Sequence, residues 1–282
     1  PSGRAGAIIL YKATALGNFL ALIFPMVAAG IIFGAFKLWE RVWLWLAVLI
    51  IAISLIITFS RSSWLGVIVG LLALQFFKPR LVYILLILIC LGGVLLIPEV
   101  QHRIIDDRDD SGIMYRRQKI EMAYVMFNEN PFFGWGPGGF QTLASFSDVW
   151  GITEHSSLEN LYLRILAEGG IFKALVFLIF YIYLTRIGLT TARALEPGFR
   201  QAAVLGSLAG CWAVLGVGLG EDPFINPMLN WIIGLYLGIM VMINQSVLSG
   251  SEGAGVSGES ILPDKTSRRS PGQHGIEELI SK

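Results

Sequence analysis

Arg61 stands in TFSRSSWLG (Thr58 to Gly66), a turn between two apolar runs, with Ser60, Ser62 and Ser63 around it. A guanidinium presents a planar fork of N–H donors that suits phosphate oxygens, and it stays charged at any physiological pH. At the depth of a membrane surface it is placed to hold a lipid-linked phosphate, although arginines also snorkel to headgroups simply as anchors. A second basic group lies in YRRQKIEMAYVMF (Tyr115 to Phe127), where Arg116, Arg117 and Lys119 precede Ile120, Ala123, Tyr124 and Phe127 at helical spacing. This pattern serves equally an amphipathic helix whose basic residues touch headgroups and one that binds an anionic substrate.

NPFFGWGPGGF (Asn130 to Phe140) follows as a proline stop and a glycine-rich turn. It lacks the GK[ST] ending of a phosphate-binding loop, so nucleotide binding is not expected. In TEHSSLENLYLRILAEGGIFKALVF (Thr153 to Phe177), His155 and Glu159 are four residues apart. A helix beginning near Ser156 or Ser157 clusters them at its outer end, where either could accept a proton from a sugar hydroxyl. A lone loop histidine is nevertheless more often a solvated residue than a base. The chain has 3 histidines, His102, His155 and His274, without an HExxH or Cys/His metal spacing, so neither a metal nor another cofactor is expected.

The elements that must position these groups are membrane helices. Of 282 residues 55% are hydrophobic and 15% charged, and the mean hydropathy is +0.67, beyond a soluble domain of this size. Spans of about 20 apolar residues cross a bilayer, and the sequence predicts seven of them, at Ala13–Phe36, Val42–Phe59, Ser62–Phe77, Leu81–Ile97, Leu161–Thr185, Ala202–Gly220 and Pro223–Leu248. The expected fold is all-α, a polytopic transmembrane bundle with one large external loop. Residues 1–97 hold four helices, 98–160 the loop, 161–248 three more helices, and 249–282 a Ser/Gly/Pro-rich tail expected to be disordered. Cys90 and Cys211 lie inside apolar runs as buried thiols.

Lysines and arginines in short loops set the orientation. Lys37 and Arg41, Lys78 and Arg80, Arg186 to Arg200, and the basic tail share one face, which is then cytoplasmic. Arg61, Glu221-Asp222 and the long loop share the other. A net charge of +1, distributed in these small clusters, excludes a nucleic-acid partner as the expectation. The same topology puts the N-terminus outside the cytoplasm and predicts an odd number of upstream helices before Pro1.

The order of these stretches, YKATALGNFLALIFP, TFSRSSWLG, YRRQKIEMAYVMFNENPFFGWGPGGF and ENLYLRILAEGGI, resembles the O-antigen ligase/polymerase superfamily of membrane glycosyltransferases over about Tyr11 to Leu248. Each motif is loose, while their order and loop placement are more specific. The resemblance implies transfer of a glycan from an undecaprenyl-diphosphate carrier to a glycan or lipid acceptor, without a metal, in polysaccharide or lipopolysaccharide biosynthesis at the cell envelope. It also implies a multi-pass protein of the inner membrane, with its loop in the periplasm. Arg61 and Arg116 match the family's arginines and would neutralise the diphosphate, with Arg117, Asn160 and Tyr162 as further substrate-binding positions. The family's histidine stands directly before the asparagine. Here that place is Glu159, before Asn160, leaving His155 or Glu159 as the base.

Two other classes compete. A transporter of a small anion such as bicarbonate predicts ionisable residues or broken helices near the bilayer midplane. The first three spans offer only Asn18, Pro25, Ser54 and Gln75, each explicable by helix packing. An accessory membrane subunit would use its loop to contact a partner.

Overall fold

A computed structural model describes residues 13–58, 60–77, 110–146 and 158–256. Their regular elements are all helical. In chain order they are α1 (Ala13–Phe33), α2 (Leu38–Thr58), α3 (Arg61–Phe77), α4 (Asp110–Glu129), α5 (Gly139–Phe146), α6 (Leu161–Ala194), α7 (Phe199–Val217) and α8 (Pro227–Val256), with a 3-10 turn at Pro223–Ile225. The described residues up to Val247 form one compact unit.

Five of these helices, α1, α2, α6, α7 and α8, are long and apolar enough to cross a membrane, and α3 is a shorter apolar helix. The predicted span Leu81–Ile97 lies outside the described residues, as do Cys90, His102, His155 and His274. The remaining six spans are helical, with different ends. The helix that begins at Leu161 continues beyond Thr185 to Ala194 and stops before Pro197. Charge at Arg186 ends an apolar window without ending a hydrogen-bonded ladder, whereas proline does end one. Likewise α8 runs past Leu248 to Val256, into the stretch expected to be disordered.

Helix α7 is the hub, with α1 and α3 packed on it. Lipid tails are as apolar as leucine, so helices in a bilayer associate through close packing and hydrogen bonds, and small residues let backbones approach. Where α3 meets α7, a Cβ added to Gly66 would fall 2.6 Å from Val217 Cγ2, and one on Gly216 only 2.5 Å from Leu65 O. Glycine is the residue that fits this contact. Tyr236 donates from α8 to Leu22 O on α1 at 3.0 Å, and Tyr181 from α6 to Cys211 O on α7 at 3.1 Å. Cys211 is a buried free thiol, as expected.

The two ends of the bundle differ. At one, Phe36 meets Phe199 edge to face and Arg200 bonds Ser246, which brings the α1–α2, α6–α7 and late-α8 segments together. At the other, the Ser60–Ser63 turn meets the α7–α8 connection. There Asn18, buried on α1, accepts from Ser63 Oγ at 2.8 Å and Ser62 Oγ at 3.4 Å, and its amide donates to Glu221 Oε2 at 2.6 Å. Hydrogen bonds within membrane proteins are worth about 0.6 kcal/mol each on average. Three of them on one amide add modest stability and define how far α1, α3 and the connection lie along one another.

Candidate active site

The second end carries the polar cap, made of α4, the glycine-rich turn, α5 and the start of α6. Asn160 opens α6: its Oδ1 accepts from Tyr162 N and Leu163 N, each at 3.0 Å, which satisfies two of the N–H groups a helix leaves unpaired. Its Nδ2 donates to Leu219 O at 2.9 Å, and Leu161 N donates to Gly218 O at 2.9 Å, so the first turn of α6 is fastened to the α7–α8 connection. Tyr162 spends its hydroxyl on Leu215 O at 2.8 Å. The helix therefore starts at Leu161 rather than near Ser156 or Ser157.

The glycine-rich turn docks on α6 where that helix is broken. Gly170 has φ 61 and ψ −162 inside α6, and Ile171 N and Phe172 N leave the helical ladder to donate to Pro131 O at 2.8 Å and Phe132 O at 3.3 Å. In return Trp135 N and Gly136 N donate to Ala167 O and Glu168 O at 3.0 and 2.8 Å. Gly134 and Gly170 both have positive φ, and a Cβ on either would lie 2.4 Å from the facing backbone, so glycine is required twice over.

Glu168 is buried within this junction. Its Oε1 accepts from Gly138 N at 3.1 Å, and its Oε2 lies 3.1 Å from Arg164 Nε and 3.9 Å from Lys173 Nζ. Arg164 then reaches Asp222 Oδ2 from Nη1 at 2.7 Å. A buried carboxylate is tolerated when charge and hydrogen bonds surround it, and this relay connects the turn, α6 and the α7–α8 connection.

Between these pieces lies an open cleft of about 140 Å³ lined by Arg116, Lys119, Glu159, Asn160, Leu219 and Gly220, among others. Glu159 sits between two cations of α4: Oε2 is 3.6 Å from Arg116 Nε, and Oε1 is 3.4 Å from Lys119 Nζ. Among the described residues the cleft sets two cations against one carboxylate. Arg116 is 63% exposed at its side chain and Lys119 only 7%, so one lies open at the cleft while the other is buried beneath it.

The sequence places α4 correctly as a helix, and the structure adds which of its residues are buried. Ile120 and Tyr124 are 51% and 65% exposed, while Lys119, Met122, Ala123 and Met126 are buried. A buried lysine finds Glu159, which no local pattern on α4 announces. Arg117 points elsewhere and donates to Glu121 Oε1 at 2.8 Å, four residues on along the exposed face. Arg61 begins α3 and is exposed. Its neighbour Ser62 packs on Gly220, where an added Cβ would come within 3.0 Å of Ser62 Cβ, so the Arg61 turn adjoins the cleft through one residue contact. Among the described residues no group of three or more His, Cys, Asp or Glu could hold a metal ion.

A bundle of membrane-spanning helices with an ionic cleft in a polar cap defines an integral membrane protein with a surface site. Residues 46–179, from within α2 to within α6, match the O-antigen ligase family model. Over this stretch, a little under half of the chain, the sequence is similar to the O-antigen ligase family. The comparison with curated proteins found no match.

Proposed function

We propose that the chain transfers a glycan from an undecaprenyl-diphosphate carrier to an acceptor hydroxyl, at the face of the membrane outside the cytoplasm. The observation that carries this reading is Glu159 held between Arg116 and Lys119 in the open cleft. A diphosphate entering there can take over the donors that now hold Glu159, since guanidinium and ammonium groups serve phosphate oxygens as readily as carboxylate. Arg61, on the adjoining turn, would add to the same field.

In the reaction the bond between the sugar C1 and the phosphate oxygen breaks, and the electron pair leaves with the lipid diphosphate. The acceptor oxygen bonds to C1, and its proton passes to Glu159 or His155. Fixed cations beside the departing oxygen lower the barrier by stabilising the charge that develops there, with no metal or other cofactor in the scheme. The competition between diphosphate and Glu159 for the same cations gives the base a reason to be released only when donor is bound. Arg117 bonds Glu121 on the exposed face, and Asn160 and Tyr162 are engaged with backbone carbonyls, which favours Arg116, Lys119 and Arg61 as the donor-binding set. The charged residues of the cap gather at one end of the bundle, which favours chemistry at the surface over passage of bicarbonate through the middle.

The test is Arg116→Ala and Glu159→Ala in membranes supplied with a lipid-linked donor, with attached glycan and accumulated donor both measured. Loss of transfer with donor accumulating supports the reading; unchanged transfer in both variants overturns it.

A further inference from the structure

The glycine-rich turn turns two phenylalanines outward. Phe132 and Phe133 are 59% and 77% exposed, and their rings lie 6.3 and 5.0 Å from that of Phe172, itself 51% exposed. Phe172 is the first member of a stripe on α6 that continues through Val176, Ile179 and Tyr183, at 67%, 62% and 64% exposure. The intervals of four, three and four residues keep the stripe on one side of the helix. Since α6 is long and apolar enough to cross the bilayer, that exposed side is suited to lipid, and the phenylalanines extend the same apolar surface into the cap.

Main-chain bonds from Ile171 and Phe172 to Pro131 and Phe132 hold the pair against the helix, so it cannot fold away from the bilayer independently. Exposed Lys173, beside Phe172, supplies a cation at the height where headgroups would lie. Apolar rings at a membrane boundary with a basic side chain alongside form the pattern of interfacial anchoring.

We propose that Phe132 and Phe133 insert into the lipid leaflet at this end of the bundle, making the glycine-rich turn a membrane-interface anchor. The partner is the boundary between headgroups and acyl chains. Because the same turn is bonded to α6 beside Glu168, the anchor sets the height of the Arg116–Glu159 cleft above the bilayer. This proposal is independent of the reaction assigned to the cleft.

The experiment places a nitroxide at Phe133→Cys, and separately at Phe132→Cys, in the full chain with Cys90 and Cys211 replaced by alanine. The protein is reconstituted in vesicles of phosphatidylethanolamine and phosphatidylglycerol, with Val176→Cys as the lipid-facing reference, and collisions with oxygen and with a water-soluble nickel chelate are compared by electron paramagnetic resonance. Oxygen should dominate at 132 and 133 as it does at 176. Dominance of the nickel chelate at both positions would overturn the proposal by showing that the rings face water. Shielding from both reagents would overturn it by showing that protein covers them.

Discussion

Lys119 of α4 lies with its ammonium 3.4 Å from Glu159 Oε1, buried beneath a carboxylate that is itself half-exposed. Arg116 reaches the other oxygen from the open side. The two cations therefore differ in accessibility although they share one anion, and their replacement should have different consequences.

Arg116→Ala should lower glycan transfer by about 10²-fold or more, the usual loss when a fixed donor to developing charge is removed. Arg117→Ala should leave it nearly unchanged, because an exposed pair such as Arg117–Glu121 contributes about 0.2–1 kcal/mol to stability at most. Rates in membranes containing each variant, corrected for expression, check this contrast. Equal losses would mean that Arg117 reaches the substrate from its present position.

Lys119→Met removes the buried cation and keeps most of the side-chain volume. Glu159 would then be held by Arg116 alone, and competition from the donor's phosphates should rise in cost. The expected outcome is a higher KM for donor with a smaller change in kcat, read from initial rates over a range of lipid-linked donor.

Asp222→Asn leaves Arg164 facing a neutral amide where it now has a carboxylate at 2.7 Å. Arg164 is about a third exposed and keeps Glu168 Oε2 at 3.1 Å, so the loss should be about 1–3 kcal/mol, that of a weakened charged hydrogen bond, and less than for a buried charge left alone. Thermal unfolding in detergent should show a lowered Tm. The double variant Arg164→Met/Asp222→Asn should lower Tm further, since buried Glu168 then loses the guanidinium at 3.1 Å and keeps Lys173 at 3.9 Å.

Gly134→Ala and Gly170→Ala each combine a positive φ with a Cβ 2.4 Å from backbone, so each should dislodge the turn. Gly136→Ala meets nothing within 4 Å and should cost only the conformational strain, about 1 kcal/mol. Limited proteolysis of reconstituted protein separates the cases: cleavage in the cap should rise sharply for the first two and little for the third.

Sidedness follows from which segments share an end. An impermeant maleimide should label Glu159→Cys in intact cells and Lys37→Cys only after permeabilisation, in a background lacking Cys90 and Cys211. The reverse pattern would invert the orientation.

Hydropathy was sufficient for α1, α2, α6, α7 and α8 because each needs only its own composition to enter a bilayer. The i, i+4 relation of Arg164 and Glu168 is likewise written locally. Glu159 with Lys119 and Arg164 with Asp222 join residues 40 and 58 positions apart, and no periodicity within a helix encodes a meeting between helices. The same reason explains α4: its exposed Ile120 and Tyr124 suit an apolar stripe by spacing, while packing against α6 selected Lys119, Met122, Ala123 and Met126 instead. Asn160 carried a visible signal, a capping residue just before an apolar run, although the nearby serines competed for that position.

The break at Gly170 has an evolutionary corollary. Because carbonyl and amide groups of two segments interlock there, the junction depends on backbone geometry and a pair of glycines far more than on the identity of the surrounding surface. A lineage could exchange the cap's exterior freely to suit new saccharides while inheriting the same mounting on the helix.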